Sequence, residues 1–141
     1  MQAQATKTKG ELLYEIHSKN STVTIKDIGQ NGIALEMNDH GEIKGKLQGG
    51  HIDTVNVNIK TDGTNEWSVK SLMNTKDGDQ IVAWGGGKGK MAGPQTGTWE
   101  GELHFMTQAP KLAYLNSTTG WVEGSGNMST GESSAKVYTK K

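Results

Sequence analysis

The sequence contains no cysteine and no arginine, only two prolines and one phenylalanine, and no long apolar run. Without cysteine, neither a disulfide nor a thiolate metal site can form. Fifteen lysines balance fifteen acidic residues, so the chain lacks both the guanidinium forks and the net positive charge typical of nucleic-acid binding. No segment approaches the ~20 apolar residues of a membrane-spanning helix. These absences predict a protein with neither nucleic-acid nor membrane partners.

The N-terminus, MQAQATKTKG, lacks the apolar stretch of an export signal, so the expected compartment is the cytoplasm. A length of 141 residues fits a single domain. The hydrophobic content of 32% is low, but the net charge of zero argues against disorder. We therefore predict a polar, disordered tail over residues 1–9 and one folded domain over residues 10–141.

Short alternating runs separated by turn signals fill that domain. In HIDTVNVNIK, residues 51–60, aliphatic side chains alternate with asparagines, the period-two pattern of a half-buried strand. Asp-Gly and His-Gly pairs predict tight turns between runs, and no long segment keeps a helical period. The pattern predicts an all-β fold, a single antiparallel β-barrel of about eight to ten short strands.

The stretch WGGGKGKMAGPQTG, Trp84 to Gly97, raises the question of a phosphate-binding loop. A P-loop requires Ser or Thr after its Gly-Lys pair, but Met91 follows here, and Trp84 occupies the position of the first glycine. No helical pattern follows, which excludes a dinucleotide-binding turn. We interpret residues 85–97 as an irregular segment at the barrel rim, either a mobile lid or a plain linker.

Three segments, Leu47–Asp53, Thr75–Gly89 and His104–Gly126, together resemble the DUF3237 (UPF0311) family of small bacterial, archaeal and fungal proteins. They carry a Gly-Gly-x-x-Asp element, a threonine with an Asp-Gly turn, an aromatic-x-Thr-x-x-Pro segment, and a Tyr-Leu-Asn run followed by Gly-Ser-Gly. The resemblance implies a barrel similar to allene oxide cyclase and lipocalin-like barrels. Such barrels bind small hydrophobic molecules, and some relatives catalyse cyclisation, isomerisation or hydration without a cofactor.

Candidate site residues are polar side chains that strand alternation places in the lumen. His51 and Asp53 lie two residues apart and share one strand face, where an imidazole and a carboxylate can act as an acid/base pair. The alternative for Asp53 is a turn cap after the glycine pair. Lys70 occupies a position where the family tends to have arginine. It is a lumen cation, or it is exposed if Trp67 and Val69 pack in the core.

Two further pairs come from the C-terminal part of the chain. Tyr114 and Asn116 share a face if their segment is a strand, and together they would orient a carbonyl or hydroxyl group. The alternative is that Tyr114 is a core aromatic residue. Glu123 beside Trp121 in an apolar pocket would have a raised pKa and act as a general acid. The alternative is a solvated glutamate on the outer face.

The resulting hypothesis is a small-molecule-binding barrel that acts, if it is an enzyme, as a cofactor-free lyase, isomerase or cyclase by acid/base chemistry in its lumen. The alternatives are a non-catalytic carrier or sensor and a structural oligomer with a filled barrel. No metal is predicted, the Gly-x-Ser-x-Gly elbow of hydrolases is missing, and a homo-oligomer is possible. Catalytic roles are predicted for Asp53, Lys70, Tyr114 and Glu123, and ligand contacts for His51, Trp84, Phe105, Asn116 and Trp121.

Overall fold

Eight strands form one closed antiparallel barrel in the computed structural model, which describes residues 9–141. Consecutive strands pair in chain order, and pairing of β1 with β8 closes the barrel. The predicted fold class is confirmed. Of the predicted tail, residues 1–8 lie outside the described part, whereas Lys9 already begins β1. The elements are β1 (Lys9–Gly29), β2 (Gly32–Gly45), β3 (Gly49–Lys60), β4 (Thr64–Thr75), β5 (Gln80–Met91), β6 (Thr96–Thr107), a 3₁₀ helix (Pro110–Ser117), β7 (Thr119–Asn127) and β8 (Glu132–Lys140).

The strands are longer than the sequence pattern indicates. The runs ELLYEIH and STVTIKDI continue as β1 through two register shifts, one of them between Asn20 and Thr22. The Asp-Gly turns are confirmed, because Gly63 and Gly78 have φ of +88° and +89°. The predicted His-Gly turn is wrong, since Gly41 lies inside β2. A Cβ there would lie 1.8 Å from the carbonyl oxygen of His17, so this glycine serves close strand approach.

Most of the glycine-rich stretch is a regular strand, which corrects the lid or linker interpretation. Residues 85–90 of β5 pair with β4 on one side and β6 on the other, and Met91 still faces Gly97. Only residues 92–95 connect the two strands. A Cβ at Gly85 would lie 1.9 Å from the carbonyl oxygen of Glu102, so glycine is required where the backbones converge.

The barrel is closed at the end that carries the 3₁₀ helix. Inward-facing side chains at this end are buried, and Leu115 of the helix, which is 0% exposed, covers them. Tyr14 and Phe105 pack edge to face, with ring centres 6.5 Å apart. The side chains packed here include Leu13, Tyr14, Ile43, Leu47, Met73, Ile81, Phe105, Leu115 and Val137.

The opposite end of the barrel has exposed apolar side chains. Pairing between β1 and β8 stops at Lys19 and Glu132, so residues 20–29 of β1 pair with β2 alone, whereas the start of β2 stays paired with β3. Apolar side chains on the inner face of this part of β1 are exposed, for example Val23 at 51% and Ile25 at 61%. The barrel therefore has a packed floor and an apolar mouth, and we call the lumen between them the cup.

Candidate functional site

On the inner wall of the barrel, residues that strand pairing aligns side by side form rows across β1, β2 and β3. One such row places a serine beside a histidine. Strand pairing aligns Ser18 of β1, Gly41 of β2 and His51 of β3. Because Gly41 has no side chain, the imidazole of His51 reaches across β2, and its Nε2 lies 3.0 Å from Ser18 Oγ. His51 is only 5% exposed, so the imidazole is held inside the barrel wall.

The next row towards the mouth carries two carboxylates. Asn20, Asp39 and Asp53 face one another across β1, β2 and β3. Asp53 Oδ2 lies 3.0 Å from His51 Nδ1, and the side chain of Asp53 is 13% exposed. The amide of Asn20 donates a hydrogen bond to Asp39. Among the described residues, none forms a hydrogen bond with Asp53 Oδ1, which is buried.

The surroundings shift the proton affinities of this cluster. Burial by itself lowers the pKa of His51, but the hydrogen bond and charge of Asp53, together with a hydrogen bond to the backbone of His17 and the charge of Asp39, outweigh it, and the pKa is raised. The pKa of Asp39 is raised mainly by burial, with a further contribution from the charge of Asp53. Burial and the same charge raise the pKa of Tyr14. The cluster therefore favours a protonated imidazole beside Asp53.

We expect the stability of the protein to decrease as pH rises above about 6.5, the pKa of an unfolded histidine. His51 has a higher pKa in the folded state, so its stabilising contribution is complete below that pH and is lost as pH rises through the folded-state pKa. Urea unfolding of the wild type and His51→Gln at several pH values measures this. The stability gap should narrow with rising pH, and a constant gap would contradict the assignment. His104→Gln on the outer wall is the matched control.

Ser18, His51 and Asp53 have the connectivity of a catalytic triad. A triad base must be neutral to accept the serine proton, and the neighbours that raise the pKa of His51 work against this role. A protonated imidazole donates to both partners. We therefore interpret Ser18 as a residue that positions His51.

Of the predicted site residues, His51, Asp53 and Phe105 face the inside of the barrel. Phe105 is 3% exposed and packs in the closed end. Lys70 lies outside, because Trp67 and Val69 of the same strand pack against the core, as the alternative interpretation stated. The register pairs Lys70 with Trp84, which is 42% exposed and stacks on His104 of the outer wall.

Glu123 is also on the outer wall, and the predicted apolar pocket around it is wrong. Val122 takes the inward position in β7 and is 4% exposed. Glu123 accepts a hydrogen bond from Trp121 Nε1 at 3.0 Å and pairs with Lys9 at 3.1 Å. Alternation along β7 thus puts both predicted residues, Trp121 and Glu123, outside.

Tyr114 and Asn116 belong to the 3₁₀ helix, so the predicted shared strand face is absent. Tyr114 is 46% exposed. The amide oxygen of Asn116 accepts a hydrogen bond from Thr107 N at 2.8 Å, and its Nδ2 donates to the Thr107 carbonyl at 3.1 Å. Asn116 thereby holds the helix against the end of β6, and Leu115 is the helix residue that faces the core.

Sequence reasoning missed Ser18, Asn20, Asp39 and the phenol of Tyr14. Ser18 and Asn20 lie in an entirely polar run, HSKNST over residues 17–22, which is typical of an exposed segment. Their approach to His51 and Asp53 depends on strand register, which two bulges in β1 alter. The glycine inside β2 was the available signal, because it marks a place where side chains of neighbouring strands meet.

The outer wall has two grooves of about 300 and 440 Å³. Gly85–Gly87 form part of the larger one, beside Trp121 and Glu100. Neither groove includes His51 or Asp53. We place the candidate site in the lumen because the buried charges lie there. No helix among residues 9–141 is long and apolar enough to cross a membrane.

Solved structures with the same fold are known from bacteria and a fungus. A protein of unknown function from Clostridium acetobutylicum is 15% identical, with a TM-score of 0.81 over 92% of this chain and 97% of that one. A β-barrel-like protein from Acinetobacter baumannii is 19% identical, with a TM-score of 0.81 over 93% and 94%. An enzyme from Penicillium herquei is 19% identical, with a TM-score of 0.73 over 95% and 96%. At these identities the likeness establishes the barrel fold alone. No family model and no curated protein matches the chain, so the resemblance to DUF3237 stays a prediction.

Proposed function

We propose that the protein binds a small organic molecule in the cup and that His51 and Asp53 transfer a proton to or from it. The observation that carries this proposal is a buried imidazole–carboxylate pair 3.0 Å apart, between a packed floor and an open apolar mouth. Buried charged pairs with shifted pKa values are concentrated at functional sites. Fold likeness to an enzyme does not specify a function, so the proposal depends on this pair.

The cluster supplies an acid and a base in adjacent positions. The imidazolium of His51 is the source of the proton, which passes to the substrate through the hydroxyl of Ser18 that contacts Nε2, and Asp53 Oδ1 is the free acceptor. Proton transfer at two points of one substrate is the chemistry of isomerisation, elimination and cyclisation, and none of these needs a cofactor. Ser18 orients the imidazole and Asn20 orients Asp39.

The alternative proposal is a carrier or sensor that binds the same kind of molecule without changing it. The exposed apolar inner face of β1 at the mouth favours this, because Val23, Ile25 and Ile28 offer contact surface but no chemistry. The two functions differ in whether a bound molecule exchanges protons.

Mass spectrometry of molecules released from the purified protein would identify the ligand. That molecule, incubated with the protein in D₂O, should gain deuterium at a carbon position. His51→Gln and Asp53→Asn should slow this exchange by about 10²-fold or more. Glu123→Gln, a carboxylate change on the outer wall, should leave the exchange rate within about twofold, since surface changes are small in effect. Binding without exchange in the wild type would favour the carrier, and equal loss in all three variants would refute the assigned site.

A further inference from the structure

We infer that the ligand is a neutral, mainly apolar molecule with a hydroxyl or similar hydrogen-bond donor at one end, and that this group donates to Asp53 Oδ1. The inference rests on the proposed binding function and specifies the chemistry of the molecule bound. It is independent of whether a reaction follows.

The two oxygens of Asp53 differ in their hydrogen bonding. Oδ2 is 3.0 Å from His51 Nδ1, whereas Oδ1 is buried without a hydrogen-bond partner among residues 9–141. A buried carboxylate oxygen is an acceptor with a strong requirement for a donor. The comparable oxygen of Asp79 has a cation nearby, since Lys111 Nζ lies 3.2 Å from it. The cation beside Asp53 is His51, which pairs with the other oxygen, Oδ2.

The charge around that oxygen disfavours an anionic ligand. Asp39 faces Asp53 directly across β2 and β3, and its raised pKa arises mainly from burial and in part from the charge of Asp53. An anionic ligand would add a third acidic group to this pair. A cationic ligand would compete with His51 for Asp53 and would have to leave water for the apolar walls beside it. A neutral donor avoids both costs.

The inner wall on the mouth side of Asn20, Asp39 and Asp53 is apolar. The register continues it with the row of Val23, Met37, Val55 and Val69. Val69 and Trp67 of β4 pack against the core, whereas Val23 and Ile25 of β1 are exposed, so the free apolar surface lies along β1. Apolar walls with a polar group at the floor are typical of sites that bind an apolar body and orient it by hydrogen bonding. The donor of the ligand therefore enters first and its apolar body lies against β1.

Two compounds that differ only in the donor test this inference. Isothermal titration calorimetry at neutral pH with 2-naphthol and 2-methoxynaphthalene should give a dissociation constant about tenfold or more lower for the naphthol, since a site built for a donor rejects an analogue without one. Asp53→Val removes the acceptor and should abolish this preference, whereas Glu123→Gln should retain it. The wild-type comparison decides the question even if Asp53→Val does not fold.

Equal affinity for the two compounds, or tighter binding of the ether, would overturn the donor inference and leave the proposed binding function intact. A naphthol preference that persists in Asp53→Val would also overturn it, because the donor would then be recognised elsewhere. Failure of both compounds to bind up to their solubility limits would instead count against the lumen as a binding site, and so against the proposed function itself.

Discussion

Replacing Gly85 with alanine is expected to lower the free energy of unfolding by about 3 kcal/mol or to prevent folding, because a new Cβ would overpack the wall. The added carbon would lie 1.9 Å from the carbonyl oxygen of Glu102, and that oxygen belongs to the backbone of β6. Neither strand can move without disturbing its next neighbour, since β5 and β6 are each paired on both sides.

The matched control for this change is Gly93→Ala in the connection that follows β5. A Cβ at Gly93 meets no atom within 4 Å, so its effect should stay within about 0.5 kcal/mol. Urea unfolding followed by circular dichroism measures both variants. If Gly85→Ala were as stable as the wild type, residues 85–91 would not form a strand paired on both sides. The interpretation of this segment as an irregular lid or linker at the barrel rim would then be favoured again.

Replacing His51 with leucine is expected to cost about 3–5 kcal/mol, because it removes one partner of a buried ion pair and leaves the other charge uncompensated. The side chains of His51 and Asp53 are 2% and 13% exposed, so water reaches the pair poorly. Ser18 Oγ also loses its contact with the imidazole. The cost should be largest below about pH 6.5, where the contribution of the His51 charge is complete, and should decrease as pH rises.

A double-mutant cycle separates this effect from simple loss of packing. His51→Leu with Asp53→Leu should be less destabilised than the sum of the two single variants, by about 1 kcal/mol or more. His104→Leu, which removes an imidazole from the outer wall beside Trp84, should cost much less. Additive single effects would mean that the two side chains do not interact, and the proposed acid/base pair would lose its physical basis.

The row of Asn20, Asp39 and Asp53 also determines how ligand binding should change the stability of the protein. A molecule that donates to Asp53 Oδ1 satisfies a buried acceptor and binds only the folded chain, so it should raise the free energy of unfolding with the logarithm of its concentration over its dissociation constant. The closed end contributes little to this response because its side chains are already packed. Ligand effects should therefore be concentrated in β1 to β4.

The sequence by itself determined the architecture and one half of the site. Period-two alternation and Asp-Gly turns predicted the barrel, and the spacing of His51 and Asp53 predicted that they share a strand face, because both features depend only on neighbours along one strand. Strand alternation also allowed Lys70 and Glu123 to face inward. The structure places both outside, since Val69 and Val122 pack towards the core.

Only the tertiary structure decided which strands bring Ser18, Asn20 and Asp39 to that pair. Register between strands depends on bulges in β1, which leave no local pattern, and the only local trace of the contact is Gly41 of β2, which lets the side chain of His51 cross to Ser18. Tertiary contacts also decided the structure of the glycine-rich stretch. Its composition is typical of a flexible segment, but the paired backbones on both sides and their close approach make it a strand.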